Sequence, residues 1–580
     1  MVSMSCVRWI ACAALGFPAL GGAAAEVGQI VIHADRPKGA VVRELFGTEI
    51  KCDRGGQGLM TGLRGGPNEF RAVIMDPVEK LGFTFMRYKF MRASWNWEDG
   101  IGPMAARPDD RARQKYMGVD EVMAFQMRTI GDASRCHMVV NPRNPEQSAA
   151  LVAYLNVPAD EPEKNRHDWI IGVSKENGRD YKTIGYWAKL RASHGHAEPF
   201  GVRWFELGNE NYMKDAGFDG EPYAYCGSAQ NTTKAMKMVD PGVRVGLNLE
   251  AYPTKNQAWR DVVIAEGGRF ADYFVCHAYY PMTYPRLKEY AGRITNLGKS
   301  RIEELYYKMI MAGAHQGYSD WKWFRGLMKR LTPRADQIGL CLTENGFHLE
   351  YEDTRAQNTV LVGVYDADEL GMMVEYAREL GLANANLFYL DGDNPWAFIQ
   401  HTYEDTDDNA GVTVRPPYHA LFMWTHYFGE TLLTTDVRCG TFGIPMPEGD
   451  DWSREGILWS RIAAQEGIPL LAAHSSLSGD GNTLFLVVIN RSLYDGIDAR
   501  VRINGFAATG YAETHILNTS VKAVSGKPAD MFAVWDSNNE EVPGTVRIRD
   551  ARIKVGASGF SFRFPAHSAT AVVLKRRPPG

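Results

Sequence analysis

Short apolar runs alternate with stretches of helical spacing from about residue 45 to residue 400. The runs are F-T-F-M-R-Y (83–88), C-H-M-V-V-N (136–141), V-R-W-F-E-L-G-N-E (202–210), R-V-G-L-N-L-E (244–250), Y-F-V-C-H-A-Y-Y (273–280), I-G-L-C-L-T-E-N-G (338–346) and A-N-L-F-Y-L-D (385–391). Near-continuous apolar character over so few residues is the pattern of strands buried on both faces. Between them, V-D-E-V-M-A-F-Q-M-R-T-I (119–130) and Y-A-Y-C-G-S-A-Q-N-T-T-K-A-M-K-M-V (223–239) place apolar residues at helical spacing. F-G-T-E-I (46–50) supplies a first strand and brings the number to eight. Strand and helix in alternation predict a parallel sheet, and eight repeats suit a closed (β/α)8 TIM barrel. A doubly wound sheet is the alternative, but no G-x-G-x-x-G opens a helix after the first strand.

The pattern changes after residue 405. A loop rich in Asp and Thr (H-T-Y-E-D-T-D-D-N-A-G) leads into one helical stretch, P-P-Y-H-A-L-F-M-W-T-H-Y-F. Beyond it, L-L-A-A-H-S-S-L, T-L-F-L-V-V-I-N-R-S, A-R-V-R-I-N-G-F and S-F-R-F-P-A-H-S-A-T-A-V-V-L-K read as short strands with turn signals such as S-G-D-G-N between them. That predicts a C-terminal all-β sandwich. Q-I-V-I-H-A (29–34) is also strand-like and is placed with the sandwich rather than the barrel. The predicted division is therefore 1–25 a signal peptide, 26–44 an N-terminal strand, 45–405 the catalytic barrel and 406–580 the sandwich. The polar stretch 159–199 reads as an insertion on the loop face of the barrel.

The first 25 residues carry one basic residue, Arg8, before the run W-I-A-C-A-A-L-G-F-P-A-L and the small residues G-G-A-A-A. This predicts a secretory signal cut after Ala25 and a secreted or periplasmic protein. The run is short of the ~20 residues that a membrane span needs. A formal net charge of −5 gives no electrostatic reason to expect nucleic acid or an anionic membrane as partner. Six cysteines follow the signal (Cys52, Cys136, Cys226, Cys276, Cys341, Cys439), without a C-x-x-C pair or ligand-like cluster, and are expected as free buried thiols. No H-E-x-x-H or G-x-S-x-G occurs, which removes two common hydrolase chemistries.

In a barrel of this kind, polar residues at the carboxyl ends of strands face the active site. Two predicted strands end on a glutamate: Glu210 after W-F-E-L-G-N and Glu344 after I-G-L-C-L-T. Their spacing in the chain puts them on the fourth and seventh strands. Taken singly, a strand-end glutamate is commonly a salt bridge or a helix cap. Two carboxylates across a barrel mouth are what glycosidic hydrolysis requires, one neutral to protonate the leaving oxygen and one ionised to attack the anomeric carbon. Asn209 offers an amide for a sugar hydroxyl. His277 and Tyr279, in C-H-A-Y-Y, stand ready to orient the carboxylates.

These residues bring a resemblance. Gly208-Asn209-Glu210 and Glu344 are similar to the acid/base and nucleophile motifs of the clan A retaining glycoside hydrolases. More narrowly, R-Y-K-F-M-R-A-S-W-N-W-E-D-G-I-G-P-M-A-A-R-P (87–108), Y-M-G-V-D-E-V-M-A-F, E-P-F-G-V-R-W-F-E-L-G-N-E and the ending F-P-A-H-S-A-T-A-V-V-L resemble the family 51 α-L-arabinofuranosidases over nearly the whole chain after the signal. The resemblance implies a barrel plus sandwich, retention of configuration and no metal or organic cofactor. It also implies an oligo- or polysaccharide substrate and allows a homo-oligomer. It assigns Glu210 as acid/base, Glu344 as nucleophile, and Asn209, His277, Tyr279, Arg87, Trp97 and Tyr389 to the sugar site. The function it implies is a secreted, exo-acting α-L-arabinofuranosidase working on plant-type polysaccharide side chains. The alternatives are a clan A enzyme for a galactofuranoside, xyloside or β-glucan, and a carbohydrate-binding protein that no longer cleaves.

Three positions depart from the family's pattern. Where the family follows its arginine with x-P-G-G-N, this chain has Lys89, Phe90, Met91 and Arg92. The early glutamate of the sugar pocket is shifted, with Glu49 close to its place. Tyr389 stands where a glutamine is expected. The bond-breaking groups match the family, while the sugar pocket is rebuilt with bulk and positive charge.

Overall fold

The computed structural model describes residues 27–52, 58–60, 69–89, 96–103, 106–107, 117–160, 164–213, 217–250, 256–280, 299–347, 359–392, 396–401, 412–445, 465–519 and 546–578. The predicted signal peptide, most of the Asp- and Thr-rich loop, and Phe90, Met91 and Arg92 lie outside these residues.

After β1 (Gly28–Ala40), eight parallel strands close into a barrel. They are β2 (Gly47–Lys51), β3 (Phe85–Lys89), β4 (Cys136–Val140), β5 (Trp204–Leu207), β6 (Arg244–Leu249), β7 (Tyr273–Tyr279), β8 (Gly339–Gly346) and β9 (Leu382–Leu387). The closing pair sets Gly47 opposite Asn386 and Thr48 opposite Leu387. The last strand starts earlier than the A-N-L-F-Y-L-D run and stops at Leu387. Phe388 and Tyr389, joined by a cis peptide, follow it at the mouth.

The strands are buried over most of their length, but their two faces meet different surroundings. Met86, Tyr88, Phe205, Leu207, Phe274 and Cys276 join the large core between barrel and helices. The alternate positions point into the barrel, because side chains of a strand switch faces at every residue. Inside, Phe85, Trp204, Tyr273, Val275 and Cys341 form a small apolar plug. One step further along the same strands come Arg87, Glu206 and His277, all buried. The barrel interior is thus apolar at its base and ionic toward its carboxyl end.

Short pairs follow the barrel: β10 (Asp391–Gly392), β11 (Ile399–Gln400) and β12 (Thr413–Val414) form one sheet, and β14 (Thr441–Ile444) pairs with β15 (Gln465–Pro469). The second large unit is a nine-stranded sheet built on β1, β13 (Thr431–Arg438), β16 (Leu471–Leu477), β17 (Thr483–Asn490) and β18 (Ile497–Asn504). It is completed by β19 (Ala508–Asn518), β20 (Arg547–Lys554), β21 (Gly559–Phe564) and β22 (Ser568–Arg576). β1 lies between β13, antiparallel, and β18, parallel. Ile30 and Ile32 of β1, Leu484 and Leu486 of β17, Val501 and Ile503 of β18, and Val572 and Leu574 of β22 share one core. Strands far apart in the sheet order therefore face one another, and the sheet closes over itself as a sandwich.

The helix Val360–Leu380 is buried along most of its length, because it lies between barrel and sandwich. It carries Asp368, whose carboxylate accepts two hydrogen bonds of 2.6 and 2.7 Å from the Arg491 guanidinium. Both side chains are out of solvent, so this bidentate pair ties the sandwich to the barrel. The described cysteines are all free thiols.

Candidate active site

The stretch that ends β5 is a turn as well as a site. Gly208 takes φ 87° and Glu210 takes φ 51°. A Cβ at Gly208 would come within 1.9 Å of the Asn211 side chain, so only glycine fits. Left-handed backbone at a glutamate costs on the order of 1 kcal/mol or more and persists where the surroundings over-determine it. Here the turn sets the Glu210 carboxylate against β7, where Oε1 lies 2.8 Å from Nδ1 of His277. Asn209 Nδ2 donates to the other oxygen at 3.4 Å, and the Tyr212 hydroxyl donates to Oε1 at 3.4 Å.

Glu344 sits within β8 and is 4% exposed. Its Oε1 accepts from Lys89 Nζ at 2.7 Å and from Arg87 Nη1 at 2.9 Å. Its Oε2 accepts from the Tyr279 hydroxyl at 2.7 Å and lies 3.5 Å from His277 Nδ1. The same imidazole nitrogen therefore stands between the two glutamates. Ligating atoms of Glu210, His277 and Glu344 all lie within 4.8 Å of one another.

Arg87 is held before it reaches Glu344. Its Nε and Nη2 donate to the two oxygens of Glu206 at 2.8 and 2.9 Å, its Nη2 donates to Asn209 Oδ1 at 2.9 Å, and its Nη1 also donates to Glu49. Asn248 Nδ2 donates to Glu206 at 2.9 Å. His137, 3.7 Å from Glu206, is hydrogen-bonded to the Tyr273 hydroxyl at 3.0 Å. A fully buried guanidinium fixed by a bidentate partner has little freedom, so Asn209 and Glu344 inherit its position.

The charges follow from these contacts. Burial opposes ionisation of Glu344, but His277, Lys89 and Arg87 outweigh it and hold the carboxyl well below the usual range. Glu210 is also lowered, since its contact with His277 outweighs its own burial. His277 moves the other way: burial opposes its charge, while Glu344 and Glu210 raise its affinity for a proton. Burial and the neighbouring Glu344 push Glu49 up. Burial and Glu344 together push the Tyr279 hydroxyl well up, so it remains a donor. The expectation of one neutral glutamate is thereby modified. These directions favour both glutamates as carboxylates, with the proton of the Glu210–His277 pair on the imidazole.

Among the described residues, Glu210, His277 and Glu344 also lie close enough together to hold a cation. The Lys89 ammonium and Arg87 guanidinium already occupy Glu344 Oε1, so a metal ion there would face two fixed positive charges.

Of the residues singled out in the sequence, Glu210, Glu344, Asn209, His277, Tyr279 and Arg87 converge in this one network. Tyr389 is buried beside the mouth, with Lys51 Nζ 4.5 Å from its ring centre and 4.9 Å from that of Phe388. Trp97 is not brought into the network. It is buried against Trp187 and Tyr154, with ring centres 5.0 and 5.7 Å away, and its indole N–H donates to the Gln147 carbonyl at 3.1 Å. Its role is packing, because an indole with its edge satisfied and both neighbours aromatic has no free face for a sugar. Sequence reasoning missed Glu206, Asn248, His137 and Lys51. The signal was present as parity: Glu206 is two residues from Trp204, and Lys51 two from Glu49, on strands whose alternate positions face inward.

A closed eight-stranded parallel barrel, a β-sandwich and paired glutamates on the fourth and seventh barrel strands define the class: a barrel protein with a glycosidase-like site. Comparison with known proteins narrows it. Residues 79–290 match the family described as the alpha-L-arabinofuranosidase 1 domain. An intracellular exo-alpha-(1->5)-L-arabinofuranosidase of Bifidobacterium longum is 27% identical over 283 residues, which are 45% of this chain and 44% of that protein. Intracellular exo-alpha-(1->5)-L-arabinofuranosidase 1 of Bacillus subtilis (strain 168) is 28% identical over 39% of this chain and 43% of its own length. The matched part thus spans less than half of these relatives. The thermostable GH51 α-L-arabinofuranosidase of Thermotoga petrophila RKU-1 superposes with a TM-score of 0.72 at 20% identity, covering 94% of this chain and 100% of that one. At that identity the likeness speaks for the fold. Residues 79–290 are thus similar in sequence to α-L-arabinofuranosidases, and the fold is similar to theirs over most of the chain.

Proposed function

We propose that the protein is a retaining glycoside hydrolase that releases an α-L-arabinofuranosyl residue from the end of a plant-type polysaccharide side chain. The observation that carries this is the approach of Glu210 and Glu344, whose oxygens come within 4.8 Å of each other about one histidine. Retaining enzymes place their carboxyl groups ~5–5.5 Å apart, whereas inverting enzymes leave room for a water between them at ~6.5–9.5 Å.

In the first step a Glu344 oxygen bonds to the anomeric carbon as the bond to the leaving oxygen breaks, and the leaving oxygen takes a proton from Glu210. That proton reaches Glu210 from His277 Nδ1, 2.8 Å away. In the second step Glu210 removes a proton from water, the water oxygen bonds to the anomeric carbon, and Glu344 is released as carboxylate. Tyr279 and Arg87 hold one oxygen of Glu344 each, so the other lone pairs are aimed rather than free to rotate. Asn209, with its Oδ1 bound to Arg87, turns its Nδ2 to the Glu210 side, where a sugar 2-hydroxyl would lie. Export rests on the first 25 residues; several relatives carry "intracellular" in their names. Among the described residues no helix is long and apolar enough to cross a membrane.

The test is release of 4-nitrophenol from 4-nitrophenyl α-L-arabinofuranoside by the wild type, with Glu344→Gln inactive but still folded by circular dichroism. A wild type inactive on this and on the other aryl glycosides would refute the reading. Recovery of the chain from the medium or periplasm with a new N-terminus at Glu26 tests export.

A further inference from the structure

Glu344 sits at a defect in its strand. β8 carries one residue more than β7 between the pairs Cys276–Leu342 and His277–Glu344, and one more than β9 between Leu342–Ala385 and Asn345–Leu387. An extra residue breaks the ladder locally and re-aims the side chain at that point. The direction of the Glu344 carboxylate therefore depends on what fixes the chain just beyond it. Asn345 does part of this, since its Nδ2 donates to the Leu342 carbonyl at 3.0 Å and to the Asn386 carbonyl at 2.8 Å. Gly346 then ends the strand with φ 110°. The Phe347 N–H, past the last ladder pair, donates at 3.2 Å to Oδ1 of Asp366.

Asp366 and Glu369 are three residues apart on the helix Val360–Leu380, so they share the face turned to this strand end, and both are buried. The Gly346 N–H faces the Glu369 carboxyl, whose Oε1 also accepts from the Tyr365 hydroxyl at 3.2 Å. Asp368, two residues from Asp366, falls on the opposite side of the helix, where Arg491 pairs with it and Tyr307 and His315 also face it. His474 of β16 meets the helix further on, at Gly371 and Glu375. We propose that Asp366, with Glu369 beside it, positions Glu344 for attack: the two carboxyl groups are hydrogen-bond acceptors that hold the backbone at the end of β8. The proposal rests on the glycosidase reading and adds to it two residues that act through the backbone of the nucleophile's strand. Their state fits that task. Burial pushes the Asp366 carboxyl up to about 8, and burial together with Asp366 pushes Glu369 well up. Both are then neutral acids in mildly acidic solution, and a neutral carboxyl offers the same acceptor and nearly the same shape as an amide.

The experiment sets Asp366→Asn, which keeps the acceptor and the shape, against Asp366→Leu, which keeps only the bulk. On 4-nitrophenyl α-L-arabinofuranoside at about pH 6, Asp366→Leu should lose kcat about tenfold or more with KM changed by less than about twofold, because a misaimed nucleophile is a transition-state defect. Asp366→Asn should keep kcat within about twofold of the wild type. Amide hydrogen exchange over residues 344–347, read by mass spectrometry, should be slow in the wild type and in Asp366→Asn and faster in Asp366→Leu. Equal kcat in all three proteins, or a loss in Asp366→Asn as large as in Asp366→Leu, overturns the proposal while leaving the glycosidase reading standing. Urea denaturation tests the neutral state. The folded value of Asp366 is raised, so its stabilisation is fully present below pH 3.8, the ordinary value, and is lost as pH rises through about 8. Asp366→Asn, which cannot ionise, should gain on the wild type over that range, and a constant or shrinking difference overturns the proposal. If Asp366→Leu does not fold, kcat and the urea series of Asp366→Asn decide. If the wild type cleaves no aryl glycoside, the glycosidase reading fails, and the exchange and urea series still decide whether the pair holds β8.

Discussion

Replacing Lys89 by methionine keeps the apolar stem and removes one of the three cations that hold Glu344 ionised. The Nζ–Oε1 separation is 2.7 Å, and both groups are nearly buried. At an effective dielectric near 20, two unit charges so close attract by about 6 kcal/mol before the cost of burying them is subtracted. Opposite charges at such range commonly move a carboxyl by 1–3 pH units. Arg87 and His277 remain, so only the Lys89 part of the lowering is lost. The sign follows from the charge: without the cation the Glu344 carboxyl titrates higher. In the wild type the acid limb of kcat/KM, set by Glu344, should therefore lie below pH 4.5, the ordinary value. The alkaline limb reports loss of the proton shared by His277 and Glu210 and should lie above pH 6.5, since His277 is raised. In Lys89→Met the acid limb should move up while the bell stays open. The assay is the pH dependence of kcat/KM on 4-nitrophenyl α-L-arabinofuranoside. An acid limb that stays put, or moves down, would refute the electrostatic account of this site.

Other outcomes follow from the same geometry. Glu210→Ala should lose natural substrates but keep much of its first-step rate with an activated aryl leaving group, and added azide should capture the intermediate; equal losses on good and poor leaving groups would count against its role. Gly208→Ala must push against Asn211 and adopt left-handed backbone, so kcat should fall by about tenfold or more with KM less affected, because a misplaced acid is a transition-state defect. Arg491→Ala strips the buried Asp368 side chain of its bidentate partner, at about 3–5 kcal/mol, measurable as earlier loss of the sandwich–barrel contact in urea. For the His277 share of stability, the raised folded value means that the stabilisation is fully present below pH 6.5 and is lost as pH rises through the folded value, so His277→Gln should narrow its stability deficit in alkaline denaturation series.

The barrel strands were legible because their residues are apolar on both faces, and an eightfold alternation leaves few architectures. The last strand was placed late for a physical reason: Asn384 is a polar side chain fully buried early in β9, and in a sequence it reads as loop. The two glutamates and the His-x-Tyr pair were legible because a strand end is where a barrel exposes chemistry. The ionic layer beneath them was not. Glu206 and His137 lie inside apolar runs, where a single polar residue gives no sign of facing a guanidinium rather than solvent. Trp97 was assigned to the sugar site from the resemblance alone, and its packing was not legible because its aromatic partners, Tyr154 and Trp187, are far along the chain. The position of the proton on the Glu210–His277 pair depends on a 2.8 Å contact between strands that no sequence pattern encodes.

The central claim is that Glu344 and Glu210 act together by double displacement. Proton NMR of the first product released from an aryl α-L-arabinofuranoside tests it most directly, read before mutarotation. The geometry predicts the α-configured sugar first, with the β anomer growing in later. A β-configured first product would mean single displacement by water and would contradict the account.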